Sequence, residues 1–239
     1  MTRVFDPAAL YARLAAVRDR IARAAARAGR DPASIRLVAV SKTFDADYVR
    51  AAAKAGQIDF GENRVQEALK KQPATTDLQI RWHLVGHLQS NKARKAGSCF
   101  DLIHSIDDAA LVAKIDAGAV EADRQVEWLI QVDLAREPTK HGAREDDLMP
   151  IVDAARACSA ARLTGLMLLP PATENPDEAR RWFRALRAIR DRLVTRGVDQ
   201  SMVSELSMGM SHDYEVAIEE GATLVRVGTA IFGSRPDAL

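Results

Sequence analysis

A chain of 239 residues that is 47% hydrophobic and 28% charged fits a soluble globular protein of one large domain or two small ones, with enough length for a sizeable core. Its 34 Lys plus Arg nearly balance 33 Asp plus Glu, which removes the electrostatic case for nucleic acid or an anionic membrane as the main partner. The two cysteines, Cys99 and Cys158, lie far apart without metal-ligand spacing, so neither a disulfide framework nor a cysteine zinc site is indicated.

No stretch approaches the roughly 20 apolar residues that span a bilayer, and Asp6-Pro7 leaves no room for an apolar signal core. The expected location is the cytoplasm. Along the chain, helix patterns alternate with short apolar runs. Asp6 as cap, Pro7 at the first position and the stripe Leu10, Leu14, Val17, Ile21 predict a helix over 7–28, ended by Gly29. Strands are expected at Ile35–Val40, Ile58–Phe60, Ile80–Val85, Leu102–Ile106, Val126–Leu134, Leu163–Leu169, Val203–Leu206 and Thr223–Phe232. Asn175-Pro176 opens another helix, with Phe183, Leu186, Ile189 and Leu193 on one face before Gly197. The basic clusters Arg18 to Arg30 and Arg180 to Arg196 read as solvated faces of such helices.

Eight strands alternating with helices, without a linker, predict one α/β domain over 1–239, a single (β/α)8 barrel of a fold whose usual size is about 250 residues. A doubly wound open sheet is the alternative, but Lys42-Thr43-Phe44-Asp45 stands where its glycine-rich turn belongs. In a barrel, functional groups gather at the C-terminal strand ends. There the sequence places Lys42, Gly61-Glu62-Asn63, His83 to Gln89, His104-Ser105, Ser207 to Ser211 and Gly228-Thr229.

Two of these positions carry chemistry. Lys42 shares the period-two face of Val38 and Val40, and an inward lysine above apolar layers favours the neutral, nucleophilic amine. Arg226, on one face with Leu224 and Gly228, is a second inward cation that pushes the same way. Downstream, Ser211 is expected to cap a helix over 213–220, leaving free backbone N–H groups for an anion. Gly209 would allow close approach, and the hydroxyls of Ser207, Ser211 and Thr229 could donate.

The ordered fragments Val40-Ser41-Lys42, Phe60-Gly61-Glu62-Asn63, Trp82 to Lys92, His104-Ser105-Ile106-Asp107, Leu206 to Ser211 and Val225 to Gly233 resemble the pyridoxal phosphate homeostasis protein family, also called YggS-like or PROSC-like. The resemblance spans 37–233. It implies a barrel of the alanine racemase N-terminal-domain type, pyridoxal 5'-phosphate held as an imine on Lys42, and control of the free cofactor, by buffering or delivery to apo-enzymes, without turnover. It further implies Asn63 beside the ring, Ser207, Met208, Ser211, Gly228 and Thr229 around the phosphate, and Arg226 facing the pyridine nitrogen.

An arginine there offers donors only and cannot leave that nitrogen protonated, so the ring is a weaker electron sink than one paired with a carboxylate. Racemisation needs an acid and a base on opposite faces of the substrate. Related racemases draw one of them from a second domain and a partner subunit, whereas Leu239 follows the eighth strand closely; a carrier and a monomer are therefore expected. A racemase or lyase with an unrecognised acid–base pair, and a cofactor-free aldolase using Lys42, are the competing classes. His83 is read as a barrel-mouth hydrogen-bonding residue, and its spacing of four to His87 lacks the helical Glu of a metal motif; no metal is expected. Lys140, in Glu137 to Gly142 after the fifth strand, is either a surface charge or a second amine near the mouth. Met167 and Leu168-Leu169-Pro170-Pro171 read as core and turn.

Overall fold

Eight parallel strands pair in chain order and β8 returns to β1, closing a barrel. The structure, a computed structural model, describes residues 5–135 and 141–234. The strands are β1 (Arg36–Val40), β2 (Asp59–Glu62), β3 (Arg81–Leu84), β4 (Leu102–Ile106), β5 (Val126–Val132), β6 (Ala161–Leu168), β7 (Glu205–Met210) and β8 (Leu224–Val227). Around them run α1 (Pro7–Arg27), α2 (Ala46–Lys54), α3 (Val65–Lys71), α4 (Ala93–Gly97), α5 (Ala109–Glu121), α6 (Leu148–Arg156), α7 (Arg180–Thr195), α8 (Tyr214–Glu219) and α9 (Thr229–Phe232). Among the described residues no helix is long and apolar enough to cross a membrane.

Strand alternation sorts side chains into two cores. Val38, Val40, Val85, Leu102, Leu129, Met167 and Leu224 fill the barrel. Their neighbours, such as Leu37, Ala39, Phe60, Trp82 and Ile103, pack outward beneath the helices. At the N-terminal end of the barrel the charges pair: Arg36 with Glu205 at 2.7 Å and Arg81 with Asp59 at 2.9 Å.

α1 forms as its cap and stripe predict. Asp6 accepts from the N–H groups of Ala8 and Ala9, and Leu10, Leu14, Val17 and Ile21 are buried. Its arginines are not merely solvated. Arg20 and Arg27 pair with Glu215 and Glu219 of α8, and Arg180 joins Glu219 and Glu220 from the opposite side. These clamps fasten α8 beneath β7 and β8. Asn175 caps as expected, but the following residues Pro176–Ala179 first form a 3-10 turn before α7.

The two largest departures from the expected strand ends both bear on the site. β7 continues through Met210, so the segment read as a loop cradle is mostly strand. The last apolar run is strand only to Val227; it breaks at Gly228 and resumes as the single-turn α9. Periodicity alone cannot separate a short buried strand from an adjoining buried helix turn.

Candidate functional site

A cavity of about 560 Å³ opens where the strands end, a size that suits a small-molecule ligand. The first barrel loop contributes Val40, Lys42 and Phe44; the second and third contribute Asn63, Val85, Gly86 and His87. The ends of β7 and β8 and the turns after them contribute Met210, Ser211, His212, Arg226, Gly228, Thr229 and Gly233, with Leu169 from the loop after β6.

The turn at the end of β1 aims Lys42 inward. Ser41 is fully buried on the outer face. Its N–H donates to Gly61 O, its hydroxyl donates to Glu62 Oε1 at 2.6 Å, and its carbonyl accepts from Lys71 Nζ at 2.8 Å. Lys71 also pairs with Glu62 at 2.6 Å. Burial holds the Glu62 carboxyl above its ordinary pKa, outweighing the attraction of Lys71. With Ser41 locked outward, the next residue must face the barrel axis. The chain then turns sharply at Thr43, whose φ of 68° is rare for a β-branched residue. Phe44 follows, donating its N–H back to Ser41 O and packing on Tyr48 and Phe232.

On β8, the strand that pairs with β1, Arg226 ends a buried polar chain that crosses the barrel interior. Asp59 fixes its polarity. Burial pushes the Asp59 carboxyl up, but His83 and Arg81 outweigh that and hold it below the ordinary value, so it accepts. His83 Nε2 therefore donates to Asp59 Oδ1 at 2.9 Å. Burial holds His83 and His104 below the ordinary imidazole pKa, and a neutral ring carries one proton. His104 Nε2 must then donate to His83 Nδ1 at 3.0 Å, Ser207 Oγ to His104 Nδ1 at 2.8 Å, and Arg226 Nη1 to Ser207 Oγ at 2.5 Å. Arg226 Nη2 donates to Leu168 O at 2.8 Å. Burial lowers the Arg226 pKa to about 10, so the guanidinium remains charged at neutral pH.

The β7–β8 side differs from a capped helix. α8 starts only at Tyr214, and the buried Asp213 turns its carboxylate back to accept from Met210 N–H at 2.6 Å. Ser211 does not cap α8. Its Oγ instead accepts from Gly228 N–H at 3.2 Å and Ala230 N–H at 3.4 Å, tying the β7 loop to the turn after β8. Gly209 has φ +93°, and a Cβ there would strike Tyr214 and Ala217. Its glycine is required by α8 and not by a ligand.

On the rim, the His87 and His141 rings stack with centroids 3.5 Å apart and planes 9° apart. Asp107 stands beside them, its carboxyl raised by burial against the pull of both histidines. Lys140 lies outside the described residues.

This geometry has known counterparts. The family described as "Alanine racemase, N-terminal domain" matches residues 12–236. The pyridoxal phosphate homeostasis protein of Aquifex aeolicus is 42% identical over 223 residues, covering 93% of this chain and 97% of that protein. The namesake in Pseudomonas aeruginosa is 41% identical over 223 residues, covering 93% and 94%. The chain belongs to the pyridoxal phosphate homeostasis protein family. Among solved structures of this family type, PipY of Synechococcus elongatus with PLP bound superposes with a TM-score of 0.82 at 40% identity, covering 94% of this chain and all of that one. Alanine racemase of Clostridium difficile, at 13% identity and a TM-score of 0.71, shares the barrel fold; this chain covers 57% of it.

Of the ten residues expected to bind the cofactor, Lys42, Asn63, Ser211, Arg226, Gly228 and Thr229 line one cavity. Four others do not line it. His83 and Ser207 are fully buried inside the barrel, below the mouth, because strand alternation points them to the axis one layer beneath the rim. Met208 points outward into the helix layer, and Gly209 abuts α8. Sequence reading missed Phe44, Leu169 and His212 as cavity walls. Leu169 was accessible in principle, since it is two residues beyond the inward Met167. The others sit on turns, where the period of two lapses.

Proposed function

We propose that the cavity holds pyridoxal 5'-phosphate and that the protein stores this cofactor and hands it to apo-enzymes without turning over amino acids. The observation that carries the reading is the convergence of Lys42 and Arg226 on one cavity that Ser211, Gly228 and Thr229 also line. The donor set fits the cofactor group by group. Lys42 offers an amine to an aldehyde, Arg226 offers N–H donors to a pyridine nitrogen, and the Ser211 and Thr229 hydroxyls with the backbone near Gly228 suit a phosphate. Bound pyridoxal phosphate supplies an aldehyde that links reversibly to an amine.

Each residue's part follows from its setting. Lys42 anchors the cofactor covalently through Nζ. Asn63 and Phe44 wall the ring, and Gly228 brings the end of β8 close to Val40. His83, His104 and Ser207 act from behind, holding the Arg226 guanidinium in one orientation. A donor-only arginine does not keep a proton on the ring nitrogen, which weakens carbanion chemistry and favours holding over turnover. The names of the relatives and the pyridoxal phosphate bound in PipY support the same reading. In this reading the protein is cytoplasmic and monomeric.

Three experiments test the proposal. Titration with pyridoxal phosphate should raise a visible absorption band at one equivalent, and Lys42→Ala should abolish it while remaining folded. Loaded protein incubated with an apo-enzyme, with a scavenger removing dissolved cofactor, should still activate that enzyme. Amino acids incubated in deuterated water should show no α-carbon exchange beyond that caused by free cofactor. Exchange well above that level would establish a racemase or lyase instead.

A further inference from the structure

The three side chains on the rim carry an inference that needs no bound pyridoxal phosphate. His87, Asp107 and His141 come from three successive loops, after β3, β4 and β5, and one ligand atom of each lies within 4.8 Å of the other two. Their exposures differ: the two histidines are exposed and Asp107 is half-buried. We propose that they form a binding site for a divalent transition-metal ion such as Zn²⁺ or Co²⁺.

Two imidazoles and one carboxylate are a donor set that suits these ions, which prefer nitrogen and oxygen ligands about 2.0–2.2 Å away. Ligands around a tetrahedral ion at that range stand about 3.4 Å apart. The cluster therefore needs a contraction of up to about 1.4 Å and a rotation of the stacked rings, and both histidines that must turn are exposed.

The main chain beneath is already fixed at all three positions. Gly86, before His87, has its carbonyl held by the Ser105 hydroxyl at 2.7 Å. Asp108, after Asp107, caps α5 by accepting from Ala110 N–H at 2.8 Å. His141 O accepts from Gln131 Nε2 at 2.5 Å, and Ala143 pairs with both Gln131 and Asp133. Fixed backbones carrying movable rings are what a preorganised ligand set requires. Three protein ligands leave a coordination position for water or a ligand, the open arrangement of exchangeable zinc sites. His87 also lines the cavity, so the ion would add positive charge at the mouth.

The test is a titration of tag-free, full-length protein with Co²⁺ alone, followed by visible absorption and equilibrium dialysis, with Zn²⁺ as competitor. The expected result is one Co²⁺ per chain, displaced by Zn²⁺ and not by Mg²⁺, with d–d bands stronger than those of the aquo ion. Asp107→Asn and His141→Ala, each checked for an unchanged thermal melt, should each lower the affinity by about tenfold or more. Substoichiometric Co²⁺, a thiolate charge-transfer band, or binding that survives either substitution would overturn the assignment.

Discussion

Arg226 Nη1 donates to Ser207 Oγ at 2.5 Å, joining the wall of the cavity to a hydrogen-bonded chain that ends at Asp59, the first residue of β2. Ser207 is the hinge of this chain, accepting from the arginine and donating to His104. Ser207→Ala removes both bonds at once in a site with no exposure. The expected cost is about 1–3 kcal/mol for each buried group left unsatisfied, read by urea denaturation. The same variant should hold pyridoxal phosphate less tightly, because the guanidinium loses one of its fixed contacts. An unchanged unfolding midpoint would mean that the chain carries no stabilising load.

His83 and His104 make stability depend on pH. Both are held below the ordinary value by burial, so below about pH 6.5 the unfolded chain binds protons that the folded chain refuses. Stability is then full above the unfolded pKa and declines as pH falls beneath it, by up to about 1.4 kcal/mol per pH unit for each histidine. His104→Gln should flatten that slope by about one proton relative to the native protein. Unfolding free energies measured at pH 7.0, 6.0 and 5.5 (roughly the window named by these directions) check it; parallel slopes would contradict it.

The alternation of strand and helix made the barrel legible, since each apolar run was short and bounded by a helix pattern. Lys42 and Arg226 were legible as inward residues for the same reason, each lying two positions beyond a buried apolar neighbour. The depth of His83 and Ser207 was not, because alternation tells which face a residue takes but not which layer it reaches. Layer depends on strand register and stagger, and those are set by pairing across the barrel, as in the shift between Ser207 and Met210. The role of Ser211 was hidden for a related reason. Its partners Gly228 and Ala230 belong to the next loop, and local capping rules see only the chain immediately ahead.

Lys71 and Glu62 form a buried pair directly behind Lys42, with Glu62 wholly enclosed and Lys71 nearly so. Lys71→Met strands the carboxylate and removes one of the two donors to the Ser41 carbonyl. It should destabilise by about 3–5 kcal/mol. Adding Glu62→Leu should recover most of that loss, because a hydrophobic replacement of a buried pair is often nearly neutral. A double-mutant cycle by chemical denaturation gives the coupling, and additive losses would argue against it.

Gly86 brings the β3 loop against the backbone of Asn63, where a Cβ would collide with the Asn63 carbonyl. Gly86→Ala must push two cavity walls apart. The predicted outcome is destabilisation of about 1–3 kcal/mol with weaker pyridoxal phosphate binding, measured by thermal melting and absorbance titration. Retention of native affinity would show that the mouth tolerates this displacement.

The most direct measurement is borohydride reduction of the loaded protein followed by peptide mass mapping. The account predicts a phosphopyridoxyl mass on the peptide containing Lys42 in one-to-one yield, and none in Lys42→Ala. A stoichiometric adduct on any other lysine, with Lys42 unmodified, would contradict it.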